Sequence, residues 1–470
     1  MADVTFVMLS FEGPDGYSRA GGLGTRVTDL SRALARTGFE THLFFIGDPD
    51  LPGHEVLENG RLHLHRWCQW ISHYHPGGVY DGEEGKLRDW NRSLPDWLVR
   101  ELLCPRVSAG GSVAVLAEEW HTADSIITLH DILSRLGIRN RVQLLWNANN
   151  TFGFDRVPFG HLGSSATVTT VSRYMKHLMW RYKVDARVVP NGIDDQWLRP
   201  VDRGAACGLR RLLGDRLTLV KVARWDPDKR WDMAVDAVAF MKGPGLRPLF
   251  LARGGVEYHG QEVIARATQL DLSLAFARWT GSDAESMIEA IRPLLGADMV
   301  VLENYLSEEQ RRVLFRVADA VLANSGIEPF GLVGLETMAV GGVAFVGCTG
   351  EDYVTHRQDA ISLQSSDPRE IVHQLSYLRR SREAARRLRR AARCSAARYT
   401  WASVIRRVLL PFLQELGIDF GLRPWFDEGV PLHGREPALN LPAAARPPII
   451  RPPRFDIERG LPVAGSVRGV

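Results

Sequence analysis

The hydrophobic period changes twice within the first 47 residues. TFVMLS (5–10) is an unbroken apolar run of strand length, and after a polar loop LGTRVTDLSRALARTG (23–38) places Leu23, Val27, Leu30 and Leu34 at spacings of three and four, one face of a helix. Gly38 is a stop signal, and THLFFIG resumes a strand. VAVLA (113–117), VQLLW (142–146) and TVTTVS (167–172) are further strand-type runs. The second half repeats the plan with LTLVKVA (217–223), LFLAR (249–253), MVVL (299–302), AVLAN (320–324) and VAFVG (343–347). Strands alternating with helices predict parallel sheets covered on both faces, so the expected class is α/β. RVVPNGIDDQWLRPVDRG (187–204) has the turn residues and prolines of an interdomain connection, and two similar domains joined there leave a cleft between them.

At 470 residues the chain exceeds what one core usually supports. A formal charge of +3 gives no support for nucleic-acid binding. Cys68, Cys104, Cys207, Cys348 and Cys394 are scattered and form no Cys-x-x-Cys pair, which argues against a disulfide framework or thiolate zinc site and for a reducing compartment. The start, MADVTFVMLSFEGPDG, lacks a basic n-region, and no apolar run reaches transmembrane length, so the expected location is cytoplasmic. From about Leu375 to Arg398 arginines dominate. A solvated helix face accounts for them; contact with an anionic membrane surface or partner is the other account, and membrane contact is not expected. TWASVIRRVLLPFLQELG (400–417) has helical apolar spacing interrupted at Pro411, and the Pro- and Arg-rich residues beyond 422 lose all periodicity, so disorder is expected there.

The most informative segment is NSGIEPFGLVGLETMAVGG (324–342), which follows the strand-type run DAVLAN. It predicts a loop and then a helix starting near Gly331 or Leu332, whose first amides make Phe330, Gly331, Leu332 and Val333 a cradle for a diphosphate. Glu328 falls in the loop and Glu336 more than a turn inside the helix, so they suit hydroxyls on opposite sides of the phosphates: a sugar on one side, a ribose on the other. An ordinary crossover with solvated glutamates is the alternative. VARWDPDKR (222–230) ends a strand in Arg224 and turns Lys229 back towards it, two cations suited to a leaving diphosphate. Asp226-Pro227-Asp228 also has the form of an Asp-x-Asp metal motif, but its flanking cations and proline favour a turn. SRAGGLGTRV (18–27) leaves a strand and enters a helix with Gly21, Gly22 and Gly24, which lets backbone approach a ligand or serves as a plain turn. AEEWHTAD (117–124) offers His121 at a strand edge, as ligand contact or as core.

These segments resemble, in order, the motifs of retaining glycosyltransferases of the GT-B fold, the family 4 (group 1) type that includes glycogen and starch synthases. The resemblance implies two Rossmann-like doubly wound domains facing across a cleft: 1–198 on the acceptor side, 199–400 binding the nucleotide sugar, 401–422 as a helix crossing back, and 423–470 as a tail outside the motifs. Glu328 and Glu336 are similar to the Glu-x7-Glu pair that contacts donor sugar and ribose, and Arg224 and Lys229 to the pair that holds the diphosphate. Arg19, Gly21 and Gly22 resemble the Lys-x-Gly-Gly-Leu donor loop, with arginine in place of lysine. His121 resembles the histidine near the reacting carbon, with Glu119 replacing the family aspartate. Asn147 falls where the family has a His-Asn pair on the acceptor side, but Trp146 displaces the histidine. VPNGID (189–194) has a hinge role in this comparison. Implied is retaining, metal-independent transfer of a hexose, glucose foremost, from a nucleoside diphosphate sugar, a co-substrate and not a cofactor, to a carbohydrate or small hydroxyl acceptor. A glycoside phosphorylase, a nucleotide-sugar epimerase or a silent carbohydrate-binding protein are the rivals on the same fold.

His63, His65, His73 and His75 form two His-x-His pairs, each on one face if the segment is a strand, with no carboxylate or cysteine at familiar spacing to complete a metal site. Trp67, Trp70, Tyr74, Tyr80, Trp90 and Trp97 crowd the same region, as sugar-stacking surfaces or as core.

Overall fold

The two series of apolar runs become two separate sheets in the computed structural model, which describes residues 4–243 and 246–420; the expected tail at 423–470 lies outside the described residues. The first sheet contains β1 (Val4–Leu9), β2 (Glu40–Ile46), β3 (His54–Leu57), β4 (Leu62–Trp67), β5 (Ser112–Glu118), β6 (Val142–Ala148), β7 (Thr167–Thr170) and β8 (Arg187–Val188), in the order β3-β4-β2-β1-β5-β6-β7-β8. The second contains β9 (Leu217–Val222), β10 (Pro248–Arg253), β11 (Leu274–Ala277), β12 (Met299–Leu302), β13 (Ala320–Ala323), β14 (Ala344–Val346) and β15 (Ile361–Ser362), in the order β11-β12-β10-β9-β13-β14-β15. All pairings are parallel except β3 with β4. In each sheet the winding direction reverses once, between β1 and β5 and between β9 and β13. Ligands of doubly wound sheets collect outside the strand ends at such reversals.

β1 and β2 are buried on both faces, as parallel strands sandwiched by helices must be. β4 alternates instead, with Leu62 and Leu64 buried and His63 and His65 on the other face. The reading of a second His-x-His strand pair is corrected: His73 and His75 follow the short helix Gln69–Ser72 in turns closed by bonds such as His75 N–H to the Ser72 carbonyl at 3.0 Å. Of the aromatics, Trp90 is fully buried core, whereas Trp70 and Tyr74 are exposed.

Pro411 does not interrupt the last helix. A π-turn, Ile405–Leu409, precedes it, and helical backbone continues through Leu410–Glu415 with proline at a position whose N–H has no partner to lose. Trp401, Val404, Ile405, Leu409, Leu410, Phe412 and Leu413 share one apolar cluster with Val4 and Phe6 of β1 and with Val27, Leu30 and Leu34 of the helix Gly22–Thr37. The arginine-rich stretch is two helices, Pro368–Arg380 and Arg382–Ala396. It is not wholly solvated: Arg389 donates to the carbonyls of Arg316, Gly341 and Ala318, and Arg393 to those of Ala339 and Leu198. No helix among the described residues is long and apolar enough to cross a membrane.

Candidate active site at the two sheet reversals

The loops after β9 and β13 are clasped together by the Asp-Pro-Asp turn. Asp226 accepts the Asp228 N–H at 2.8 Å, and Asp228 in turn accepts the Ile327 N–H on its side chain at 3.0 Å and the Gly326 N–H on its carbonyl at 2.7 Å. Both carboxylates therefore hold backbone. The clasp sets Lys229 Nζ at 2.8 Å from Glu328 Oε2, which also accepts the Ser325 hydroxyl at 2.8 Å. Arg224 stands exposed just past the end of β9, its guanidinium without a hydrogen-bond or ion-pair partner among the described residues, while its carbonyl accepts the Trp231 indole N–H at 2.8 Å. The helix Leu332–Ala339 begins at Gly331 with no side-chain cap, so its first amides face the loop, and Phe330 packs beneath them against Tyr353. Gly334 is obligatory here, since a Cβ would come within 2.6 Å of the Tyr353 hydroxyl.

Glu336 is 7% exposed, and one guanidinium nitrogen of Arg311 bridges both its oxygens at 3.1 and 3.0 Å. Burial raises its pKa while Arg311 opposes the rise. Two neighbours escaped the reading of the sequence. Lys221, in the middle of β9, is buried with Nζ bonded to the Asn324 side chain at 2.6 Å and the Leu322 carbonyl at 3.1 Å, tying β9 to the root of the glutamate loop. Burial brings its pKa down to about 7. A lysine inside an apolar strand was the available signal. Glu351 is buried behind Gly331, one oxygen accepting the Thr349 N–H at 3.2 Å and the other without a hydrogen bond. Burial, with Glu328 adding, pushes its pKa up to about 7; nothing in its local sequence marks it.

At the first reversal the glycine loop is folded around a carboxylate of the chain itself. Glu12 accepts the N–H groups of Ala20, Gly21 and Gly24 at 3.1, 2.9 and 3.0 Å, and the Tyr80 hydroxyl at 2.7 Å. The expectation that this helix start draws a ligand anion is corrected: Glu12 already satisfies those donors. Gly22 opens the helix Gly22–Thr37, and Arg19 is exposed, its one side-chain hydrogen bond among the described residues going to the Pro14 carbonyl at 3.3 Å.

His121, after β5, is 3% exposed and stacked between Trp120 and Phe11, centroids 3.8 and 4.2 Å away. Its Nε2 meets Glu83 at 2.8 Å, Nδ1 has no partner, and desolvation lowers its pKa to about 4 against the pull of Glu83. Asn147 lies in a buried network: its amide donates to Glu118 at 2.8 Å and its carbonyl accepts from Thr169 at 2.9 Å, with Arg26 on the other Glu118 oxygen at 3.0 Å. Among the described residues no hydrogen bond joins His121 or Asn147 to the Lys229–Glu328 group. The two halves do touch nearby, where the Arg173 N–H and guanidinium bond Asp352 at 2.7 and 3.1 Å.

Glu119, just before Trp120, has φ 68° and ψ 170°. For a residue with a Cβ this conformation costs about 1–3 kcal/mol, and such strain concentrates at functional sites. Its carboxyl is buried and accepts the Asn149 N–H at 2.7 Å, yet desolvation, with Glu118 adding, pushes its pKa up to about 8. The native carboxyl thus keeps its proton at pH values where an unfolded glutamate has lost it, so its contribution is full below pH 4.5 and is lost as pH rises towards 8. Glu119→Gln removes that titration, and its Tm should gain on the parent's between pH 5 and 8, as read by melting curves; a constant difference would place the proton elsewhere.

Residues 20–197 match Glycosyltransferase Family 4, and residues 211–394 match Glycosyl transferases group 1. The chain is similar to the D-inositol 3-phosphate glycosyltransferase of Actinosynnema mirum, 30% identical over 348 residues, covering 69% of this chain and 75% of the relative. It is also similar to the enzyme of that name from Thermobispora bispora, at 24% over 424 residues, 85% of this chain and 91% of the relative. Among solved structures, sucrose-phosphate synthase from Thermosynechococcus elongatus superposes with a TM-score of 0.62 at 17% identity, covering 87% of this chain and 98% of that one. The catalytic domain of starch synthase IV from Arabidopsis thaliana, bound to ADP and acarbose, gives 0.63 at 15% identity, covering 88% and 99%. The shared fold is GT-B, two Rossmann-like domains.

Proposed function

The chain belongs to the family 4 and group 1 glycosyltransferases, and from that premise we propose that it moves a hexose, glucose foremost, from a nucleoside diphosphate sugar to a hydroxyl of a carbohydrate or small polyol, with retention and without a metal at the donor site. The observation that carries this reading is the clasped pair of loops at the β9/β13 reversal, where Lys229, Glu328 and an uncapped helix start stand together beside the unpaired Arg224.

The departing diphosphate gathers negative charge as the glycosidic bond breaks. Arg224, Lys229 and the amides of Phe330 to Val333 meet that charge with donors already in place. Glu328, released from Lys229 as the phosphates arrive, accepts hydroxyls of the donor sugar, and Glu336 takes the ribose. His121, neutral and fixed by stacking, supports the sugar near the reacting carbon, Arg19 closes on the donor from the first domain beside the glycine loop that Glu12 fills, and Asn147 lies on the acceptor side. The acceptor enters on the face the diphosphate leaves. Asp226 and Asp228 are engaged with backbone N–H groups, which leaves charge neutralisation to the two cations.

A screen of nucleoside diphosphates and their sugars for thermal stabilisation, followed by donor hydrolysis in EDTA, tests the reading. One base should stabilise the chain, and hydrolysis should survive the chelator. Activity lost in EDTA and restored by manganese would transfer the charge role to the Asp-Pro-Asp turn. Phosphate-dependent cleavage of a disaccharide would mark a phosphorylase, and sugar binding with no nucleotide response a silent binding protein.

A further inference from the structure

The His-x-His segment that the transfer reaction does not use is completed by strand pairing. The parallel register sets His42 of β2 opposite His63 of β4, and the antiparallel register sets His54 of β3 opposite His65. Because side chains alternate along strands, Glu40, His42, His63, His65 and His54 share one face of the sheet. The carboxylate missing from the local sequence is therefore Glu40, at the start of β2. One donor atom each from Glu40, His42 and His63 lie within 4.8 Å of one another. His42 Nε2 is 3.0 Å from Glu40 Oε1, His42 Nδ1 is 3.0 Å from His65 Nε2, and His54 Nε2 is 3.2 Å from His63 Nδ1.

We propose that Glu40, His42 and His63 bind one divalent transition-metal cation, zinc foremost, with His65 and His54 flanking the site. Donors about 2.0–2.1 Å from a tetrahedral zinc lie roughly 3.3–3.4 Å apart; Glu40 and His42 already stand at 3.0 Å and the three donors within 4.8 Å, and metal entry turns the His42 and His63 rings out of their near-parallel stack, centroids 4.5 Å apart, so that both lone pairs converge on the ion. Two imidazole nitrogens and a carboxylate oxygen suit zinc and the late first-row dications, and are a poor match for magnesium or calcium, which take oxygen. Arg106 bonds Glu40 from the helix Cys104–Ser108 and orients its carboxylate, the outer-shell contact a metal ligand needs. The site lies towards the N-terminal ends of β2 and β4, whereas the donor loops leave C-terminal strand ends, so its role is to pin the sheet's edge and not to act on substrate. The alternative is a packed chain of neutral rings: Glu40 accepts from His42 Nε2–H, and His42 Nδ1 from His65 Nε2–H.

Cobalt titration of the chelator-stripped full chain, read by the visible d–d bands of a low-symmetry site and by displacement with zinc, separates the two. Saturation at one ion per chain is expected. Glu40→Gln and His63→Ala should each weaken binding by at least about 10–100-fold, the loss that removal of even an outer-shell partner brings. His73→Ala should leave it unchanged, since His73 is outside the cluster. Glu40 is part-exposed, so the Gln variant keeps the test interpretable if His63→Ala folds poorly. Unsaturable cobalt uptake, or affinity unchanged in Glu40→Gln, overturns the site in favour of packed rings. Donor hydrolysis plays no part in this readout, so the result stands apart from the fate of the proposed transfer.

Discussion

A chain ended before Trp401 should fail to give a cooperative unfolding transition. Such a truncation removes Trp401, Val404, Ile405, Leu409, Leu410, Phe412 and Leu413, all buried against the first sheet. Each fully buried large apolar side chain contributes about 1.5–3 kcal/mol by leaving water. Together they rival the roughly 5–15 kcal/mol by which a whole domain is usually stable. The loss also strips one wall from the cluster holding Leu30 and Val27, on the helix that begins at the glycine loop, so donor-side geometry should go with stability. Also lost is the Trp401 N–H bond to the Ile193 carbonyl at 2.9 Å, which anchors the interdomain segment. Melting followed by circular dichroism beside the full chain decides it. A sharp transition within a few degrees of the parent's would show that the segment is an accessory and not part of the first core.

The main strands were legible because a strand buried on both faces must be a continuous apolar run, and little else in a soluble chain is. β4 was harder, since its alternation of leucine with histidine reads equally as a metal motif or a half-buried strand, and β8 and β15 are two-residue edges below any periodic signal. The donor loops were legible as strand-loop-helix junctions with charge. Their partners were not, because the pairings are long-range. Glu328 meets Lys229 across 99 positions, and Lys221 meets Asn324 across 103. Glu336 lay visible in the helix, but the arginine that holds it arrives on the helix Glu308–Val317, and only the packing of two helices brings them together. The occupant of the glycine loop was missed for a different reason. Glu12 lies eight to twelve positions from the amides it satisfies, in a turn whose shape no residue preference announces. A glycine-rich helix start advertises a need for an anion without saying whose anion fills it.

Lys229→Ala should lower donor turnover by about 10²–10³-fold, the scale of removing one fixed donor from a site of developing charge. The side chain is partly exposed, so the fold should be nearly undisturbed and the melting curve should say so. Two causes must be separated. The substitution removes a cation from the leaving diphosphate, and it also strands the Glu328 carboxylate with only the Ser325 hydroxyl beside the place where phosphates enter. The first lowers kcat; the second repels the donor and raises KM. Arg224→Ala offers the cleaner comparison, since its guanidinium has no acidic partner among the described residues and its removal strands nothing. The decisive variant is the double substitution Lys229→Ala with Glu328→Gln, read against Glu328→Gln alone, which carries the cost of Glu328's own contact with the donor sugar. If repulsion by a bare Glu328 caused the loss, neutralising it should restore KM and most of the turnover. If Lys229 stabilises the departing charge, KM recovers while kcat stays low, and Lys229→Arg restores it only in part because a planar fork cannot reproduce a point charge at the same spot. A double variant as active as the parent would remove Lys229 from the transition state and leave the work to Arg224 and the helix amides.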